Sequence, residues 1–266
     1  MRAHRIVRQK AHSTMRLLTA ARRSYAQDGF RTAAGLVVRS LRSLARGARQ
    51  QAATEFDLTH GVNTGGIVRI ASMEIDSPNY VYAVYYKASR PDEVGNAIAA
   101  LPIRHEEFTF VDFGSGKGLA LLVASLYPFR RIVGVEFAAD LHRTAVANIA
   151  AFRADGRRCF DVQSVHADAA EWQVPPEPLV CYFYEPFEAP VLSRTMANLA
   201  ESCRQNRRPI HLLYHRAPGD SVLHESSLRN EQLIVNAGFT RNTAWNHGPY
   251  LLFSGQASTS MEAAGR

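Results

Sequence analysis

Residues 110–118 read FVDFGSGKG, and this stretch decides the fold. Four of the six residues before Gly114, in FTFVDF (108–113), are apolar or aromatic, as expected of a strand buried on both faces. Glycines then alternate at 114, 116 and 118, and a mostly apolar helical stretch, KGLALLVASLY (117–127), follows. Open α/β sheets bind their ligands at such a loop, beyond the carboxyl end of a strand. Of two common loops, one does not fit and the other fits only in part. A Walker phosphate loop needs Gly, four residues, then Gly-Lys and Ser or Thr. Here Gly116-Lys117 is followed by Gly118, and the residue five before Gly116 is Val111. A dinucleotide fingerprint spaces its glycines two and then three apart, which would put the third at Leu119. Asp112 adds a charge argument: a carboxylate beside the loop repels a pyrophosphate and suits a cationic ligand.

Strands and helices alternate downstream. RRIVGVEF (130–137), DVQSVHAD (161–168), EPLVCYFYEPF (177–187) and RPIHLLYH (208–215) read as strands. Helices are expected at 138–152, 190–204 and 226–237, with Leu141, Ala145, Ile149 and Phe152 on one side of the first. FTRNTAWNHGPYLLFS (239–254) reads as a closing hairpin around Asn246-His247-Gly248. The alternation predicts a doubly wound, mostly parallel seven-stranded α/β sheet, with an antiparallel hairpin strand at its end. Upstream, 55–90 is expected to be loop-rich, and PDEVGNAIAALP (91–102) to be a helix opened by Pro91. The expected organisation is a basic helical extension (1–50), a cap of loops and a helix (51–104), a sheet domain (105–255) and a disordered tail (256–266).

The net charge of +7 is unevenly spread over the 266 residues. Residues 1–50 hold eleven Arg and one Lys against a single acid, Asp28, whereas the rest holds 19 basic and 23 acidic side chains. Leu36, Val37, Leu41 and Leu44 oppose Arg39, Arg42, Arg46 and Arg49, so this part reads as an amphipathic basic helix. Such a face either is solvated or meets an anionic surface such as lipid headgroups or nucleic acid. The three cysteines, Cys159, Cys181 and Cys203, form no C-x-x-C pair, which argues against a zinc ribbon or a disulfide framework. No metal is expected. Without a membrane-length apolar run or a signal-like start, the expected location is the cytoplasm, with peripheral membrane contact through the Arg-rich helix as an option.

DFGSGKG (112–118) resembles the first motif of the class I S-adenosylmethionine-dependent methyltransferases, acid-x-Gly-x-Gly-x-Gly after the first strand. The resemblance spans about residues 105–254 and implies S-adenosylmethionine as cofactor. It implies that Asp112, Phe113, Gly114, Ser115, Gly116 and Gly118 hold the cofactor's methionine side. Glu136 and Phe137, ending the second strand, would meet the ribose; Asp168 and Ala169, after the third, would meet the adenine. The fourth strand ends in Tyr184-Glu185-Pro186-Phe187, similar to the Asn/Asp-Pro-Pro-aromatic motif of amino-group methyltransferases but with Glu for the amide and a single Pro. By that similarity Glu185 is the candidate catalytic residue, Tyr184 a cofactor contact, and Pro186 and Phe187 substrate contacts. GVNTGG (61–66) and YYKAS (85–89) look like the segment that precedes the sheet in seven-strand protein-lysine methyltransferases, which adds Tyr86 and Ser89 on the substrate side. His215 and His247 are further candidate bases. The implied activity is methyl transfer to nitrogen or oxygen of a protein side chain or small molecule. A catalytically silent binding module and a nucleotide-dependent oxidoreductase are the alternatives.

Overall fold

The computed structural model describes residues 54–217, 219 and 224–255. The basic extension and the tail expected at 1–50 and 256–266 lie outside the described residues.

Five parallel strands form the centre of the sheet: β3 (Thr109–Phe113), β4 (Arg131–Glu136), β5 (Val162–His166), β6 (Leu179–Phe183) and β7 (Ile210–His215). Two antiparallel strands, β8 (Thr240–Arg241) and β9 (Tyr250–Gly255), complete it in the order β5-β4-β3-β6-β7-β9-β8. The chain starts in the middle, runs to one edge, returns, and runs to the other. The carboxyl ends of β3 and β6 are therefore neighbours, and a crevice opens where the direction reverses.

Strand alternation divides the core between the two faces. Phe110, Ile132, Val180, Tyr182 and Leu213 pack with α2 (Pro91–Ala99) and α3 (Leu119–Ala124). Val111, Phe113, Val133, Cys181 and Phe183 pack with α5 (Ala189–Gln205) and α6 (His224–Asn236). Every residue of β3 and β6 is buried. α4 (Ala139–Ala151) follows β4 and contacts β5. The three cysteines are free and buried.

Within 55–90 the loops are interrupted by short elements. Thr54 opens a helix, α1 (Glu55–His60): its hydroxyl accepts from the Asp57 N–H while Asp57 answers with its carboxylate, a capping box, and Gly61 closes the helix in the left-handed region. T-x-x-D followed by Gly was visible in the sequence as that signal. Two short strands, β1 (Ile67–Val68) and β2 (Tyr86–Lys87), pair antiparallel, and 3-10 turns cover Ile70–Ser72 and Pro78–Tyr82. Helix α3 is shorter than 117–127, because Gly118 stands before it at φ 87°, and α2 stops at Ala99 rather than 102. The final hairpin is mostly connection: β8 is two residues long, and Trp245 in the connection is buried with its indole N–H donating to the Ala100 carbonyl at 3.0 Å.

Candidate functional site

A cavity of about 510 Å³ opens beyond the carboxyl ends of β3, β4, β5 and β6. That volume suits a ligand of cofactor size. Asp112, Glu136 and Asp168 all line it, with Gly114, Ser115, Phe137 and Ala169. Parallel pairing explains the convergence. In register, Asp112 lies beside Gly134 and Glu136 beside His166, so three strands deliver acids to one rim.

Asp112 is 4% exposed and accepts no hydrogen bond from a described residue. Burial, and then the neighbouring Glu136, push its pKa well above the ordinary value. Glu136 is held at both oxygens: the Gly116 N–H donates to Oε2 at 2.7 Å and the Ala138 N–H to Oε1 at 2.8 Å. Burial nonetheless raises its pKa to about 7. Two buried carboxylates facing one cavity are a poor seat for an anion and a good one for a cation or for hydroxyl donors. Asp168 is engaged from above. Ser77 Oγ donates to Oδ2 at 2.5 Å, Asn79 Nδ2 donates to the same oxygen at 2.7 Å, and the Ala170 N–H meets Oδ1 at 2.9 Å. Arg194 donates to Asn79 Oδ1 and fixes that amide.

The glycine loop is closely covered. A Cβ on Gly114 would come within 2.3 Å of Pro186 Cβ, and one on Gly116 within 2.1 Å of the Tyr86 ring. Only glycine permits these approaches at φ 77° and 54°. The Tyr86 hydroxyl donates to the Thr64 carbonyl at 2.5 Å, and Lys117 Nζ donates to the Gly65 carbonyl at 2.7 Å. Thr64 and Gly65 are fixed in turn by Asp57, whose carboxylate accepts from Thr54 N, Thr64 N, Thr64 Oγ1 and Gly65 N. Burial alone would raise the Asp57 pKa, but these donors together hold it below the usual value. Asn148 of α4 ties down the other side, donating to the carbonyls of Asn63 and Lys117.

The chain after β6 forms the opposite wall, with Tyr184, Glu185, Pro186 and Phe187. Glu185 is the one non-glycine residue at positive φ among the described residues, at 47°. Such backbone is costly for a side chain with a Cβ, and it persists where the surroundings impose it. Ser227 of α6 supplies part of that constraint by donating to Glu185 Oε1, which also accepts from the Ala217 N–H at 3.3 Å. No described residue bonds Oε2. Burial raises the Glu185 pKa; the Ser227 and Ala217 donors work against that rise. Glu188, whose side chain makes no capping hydrogen bond, occupies the N-cap of α5, so Glu185 is not a helix cap.

Tyr86 and Ser89 line the same cavity, as does His215. Phe113, Gly116, Gly118 and His247 lie outside the lining. Phe113 faces the far side of the sheet, stacked on Phe183 at 4.9 Å; Gly116 is behind Tyr86; and Gly118 packs against Ala145. His247 is exposed on a separate shallow groove against Trp245, which removes it as a base beside this site. The sequence did not single out Ser77, Asn79, Asp57, or Lys87 and Arg229, which also line the cavity. Of these only Asp57, in its capping box, left a local signal. No group of three or more His, Cys, Asp or Glu side chains suited to a metal occurs among the described residues.

The sheet is thus seven-stranded, mostly parallel and doubly wound, with an antiparallel final pair and the glycine loop after β3. Solved structures similar to the chain include the YcgJ protein from Bacillus subtilis (16% identity, 57% of this chain and 70% of that one, TM-score 0.40). Others are the ribosomal protein L11 methylase from Lactobacillus delbrueckii subsp. bulgaricus (12%, 61% and 74%, TM-score 0.40) and the geranyl diphosphate C-methyltransferase from Streptomyces coelicolor A3(2) (11%, 62% and 79%, TM-score 0.42). No protein-family model matches the chain, and no curated protein matches it in sequence.

Proposed function

We propose that the chain is an S-adenosylmethionine-dependent methyltransferase. The observation that carries this reading is the convergence of Asp112, Glu136 and Asp168 on one cavity beside the Gly114–Ser115 turn. The cofactor, when bound, supplies an electrophilic methyl group on a sulfonium. The chain's own residues hold and align it. Glu136 accepts from ribose hydroxyls, and Asp168, aimed by Ser77 and Asn79, accepts from the adenine amine. Asp112 offsets the cationic methionine end, and that cation in turn relieves the burial cost of Asp112, which accepts no hydrogen bond from a described residue. A pyrophosphate would meet the same acids as repulsion, which disfavours a dinucleotide. Tyr184, Glu185 and Phe187 form the acceptor side, where Glu185 Oε2 is free to take a hydrogen bond from the nucleophile. Alignment then accounts for most of the catalysis.

Calorimetry with S-adenosylmethionine, S-adenosylhomocysteine, NAD and FAD tests the cofactor. Both adenosyl compounds are expected to bind at least tenfold more tightly than either dinucleotide; the reverse order overturns the reading. Release of S-adenosylhomocysteine over a panel of phenols, carboxylic acids, amines, peptides and RNA then identifies the acceptor.

A further inference from the structure

His215, the last residue of β7, is a buried histidine that the reading above leaves without a role. It lines the cavity at 8% exposure, with its ring 4.2 Å from that of Tyr184 and edge-on to Tyr250 at 5.3 Å. Its Nδ1 is shielded from solvent and has no hydrogen-bond partner among the described residues. A neutral imidazole carries one proton. Placing it on Nδ1 would bury an N–H donor with nothing to receive it; placing it on Nε2 leaves only an unused lone pair inside, the lesser cost. Burial, followed by the nearby Lys87, lowers the His215 pKa to about 4, so the ring is neutral at physiological pH. Neutral and protonated at Nε2, it is a donor rather than a base.

Lys87 lines the same wall and biases Glu185 as well as His215. The acceptor side therefore presents a free carboxylate oxygen, an imidazole N–H and an ammonium. We propose that His215 Nε2–H donates to an oxygen of the methyl acceptor, so that the acceptor carries a carboxylate or carbonyl beside its nucleophile. This rests on the methyltransferase reading for the word acceptor, but the site itself can be tested separately.

The full-length protein, labelled with 15N-histidine, is studied by long-range 1H–15N correlation. His215 is expected as the neutral Nε2–H form at pH 7; a proton on Nδ1, or an imidazolium, overturns the proposal. Benzoate and butylamine are then titrated with and without S-adenosylhomocysteine. Benzoate is expected to shift the His215 Nε2 signal saturably and butylamine to leave it in place; the opposite pattern overturns the proposal. His215→Phe should weaken benzoate at least tenfold with S-adenosylhomocysteine affinity unchanged, and His215→Gln, which restores a donor, should recover part of the loss. Equal benzoate affinity in the Phe variant also overturns it. Failure of S-adenosylhomocysteine to bind would defeat the cofactor reading alone, because the tautomer and the benzoate response are measured without it.

Discussion

The Tyr86 ring lies directly on Gly116, so close that a β-carbon on the glycine would sit 2.1 Å from the ring. That contact joins the segment before the sheet to the loop that defines the site. Gly116→Ala should force Tyr86 away and also place alanine at φ 54°, a conformation costing about 1–2 kcal/mol. Thermal melting should fall by several degrees, and S-adenosylhomocysteine should bind at least tenfold more weakly. Adding Tyr86→Ala should recover part of the loss, because the overlap is gone while the backbone cost persists. Strictly additive effects in the double-mutant cycle would show that the two residues are uncoupled.

Glu136 links stability and affinity to pH with opposite signs. Its folded pKa is raised to about 7, so the fold favours the protonated acid. The stability this contributes is complete below the ordinary glutamate range and is lost as pH rises through about 7. Cofactor affinity should move the other way, because ribose hydroxyls donate to the ionised carboxylate; binding should tighten between about pH 6 and 8. Glu136→Gln should flatten both slopes and weaken S-adenosylhomocysteine by about tenfold or more at the upper pH, from the loss of charged hydrogen bonds worth about 1.5–3 kcal/mol each. Parallel denaturant melts and calorimetry across that range decide it. A wild-type affinity that is flat with pH would remove Glu136 from the ribose role.

Asp57 is the knot that fixes residues 54–65. Replacing it with Ala leaves the donors of Thr54, Thr64 and Gly65 without their acceptor, at a cost of about 1–3 kcal/mol. Because its folded pKa is depressed, its contribution is present above the ordinary aspartate pKa and fades as pH falls through the folded value. Hydrogen exchange should show Asp57→Ala opening 54–66 while the amides of β3 and β6 stay protected. Uniform loss of protection would place Asp57 in the global core instead.

Glu185 combines backbone strain with an anchored side chain. Glu185→Gly relieves about 1–2 kcal/mol of left-handed strain and loses the Ser227 and Ala217 contacts, worth about 1 kcal/mol each. The effects nearly offset, so the melting temperature should stay within a few degrees of wild type. Methyl transfer, followed as S-adenosylhomocysteine release on the acceptor that the panel identifies, should fall at least tenfold at unchanged cofactor affinity. A stable glycine variant with full turnover would leave Glu185 a structural residue.

Local signals carried the sheet. The near-continuous apolar runs in FTFVDF and LVCYF, the apolar helix after the glycines and the acids at 112, 136 and 168 are all local features of the sequence, spaced over a few residues by the backbone periods of strand and helix. The same periods put the Phe113 side chain on the face opposite Asp112: adjacent strand residues face opposite ways, and sharing a motif with Asp112 does not mean sharing its side of the sheet.

What the folded chain alone decides are the meetings of distant residues. Tyr86 reaches a glycine 30 positions on; Ser77 and Asn79 take an acid about 90 positions away; Ser227, 42 residues beyond Glu185, holds it in a backbone region it would otherwise avoid. His215, the last residue of β7, lines the cavity, whereas His247, in the connection before β9, does not. A sequence records the period and polarity of each element, and these determined the sheet and its acid-rimmed loop. It does not record the order in which strands line up, and that order, fixed by burying both faces of the sheet at once, determined which side chains share the cavity.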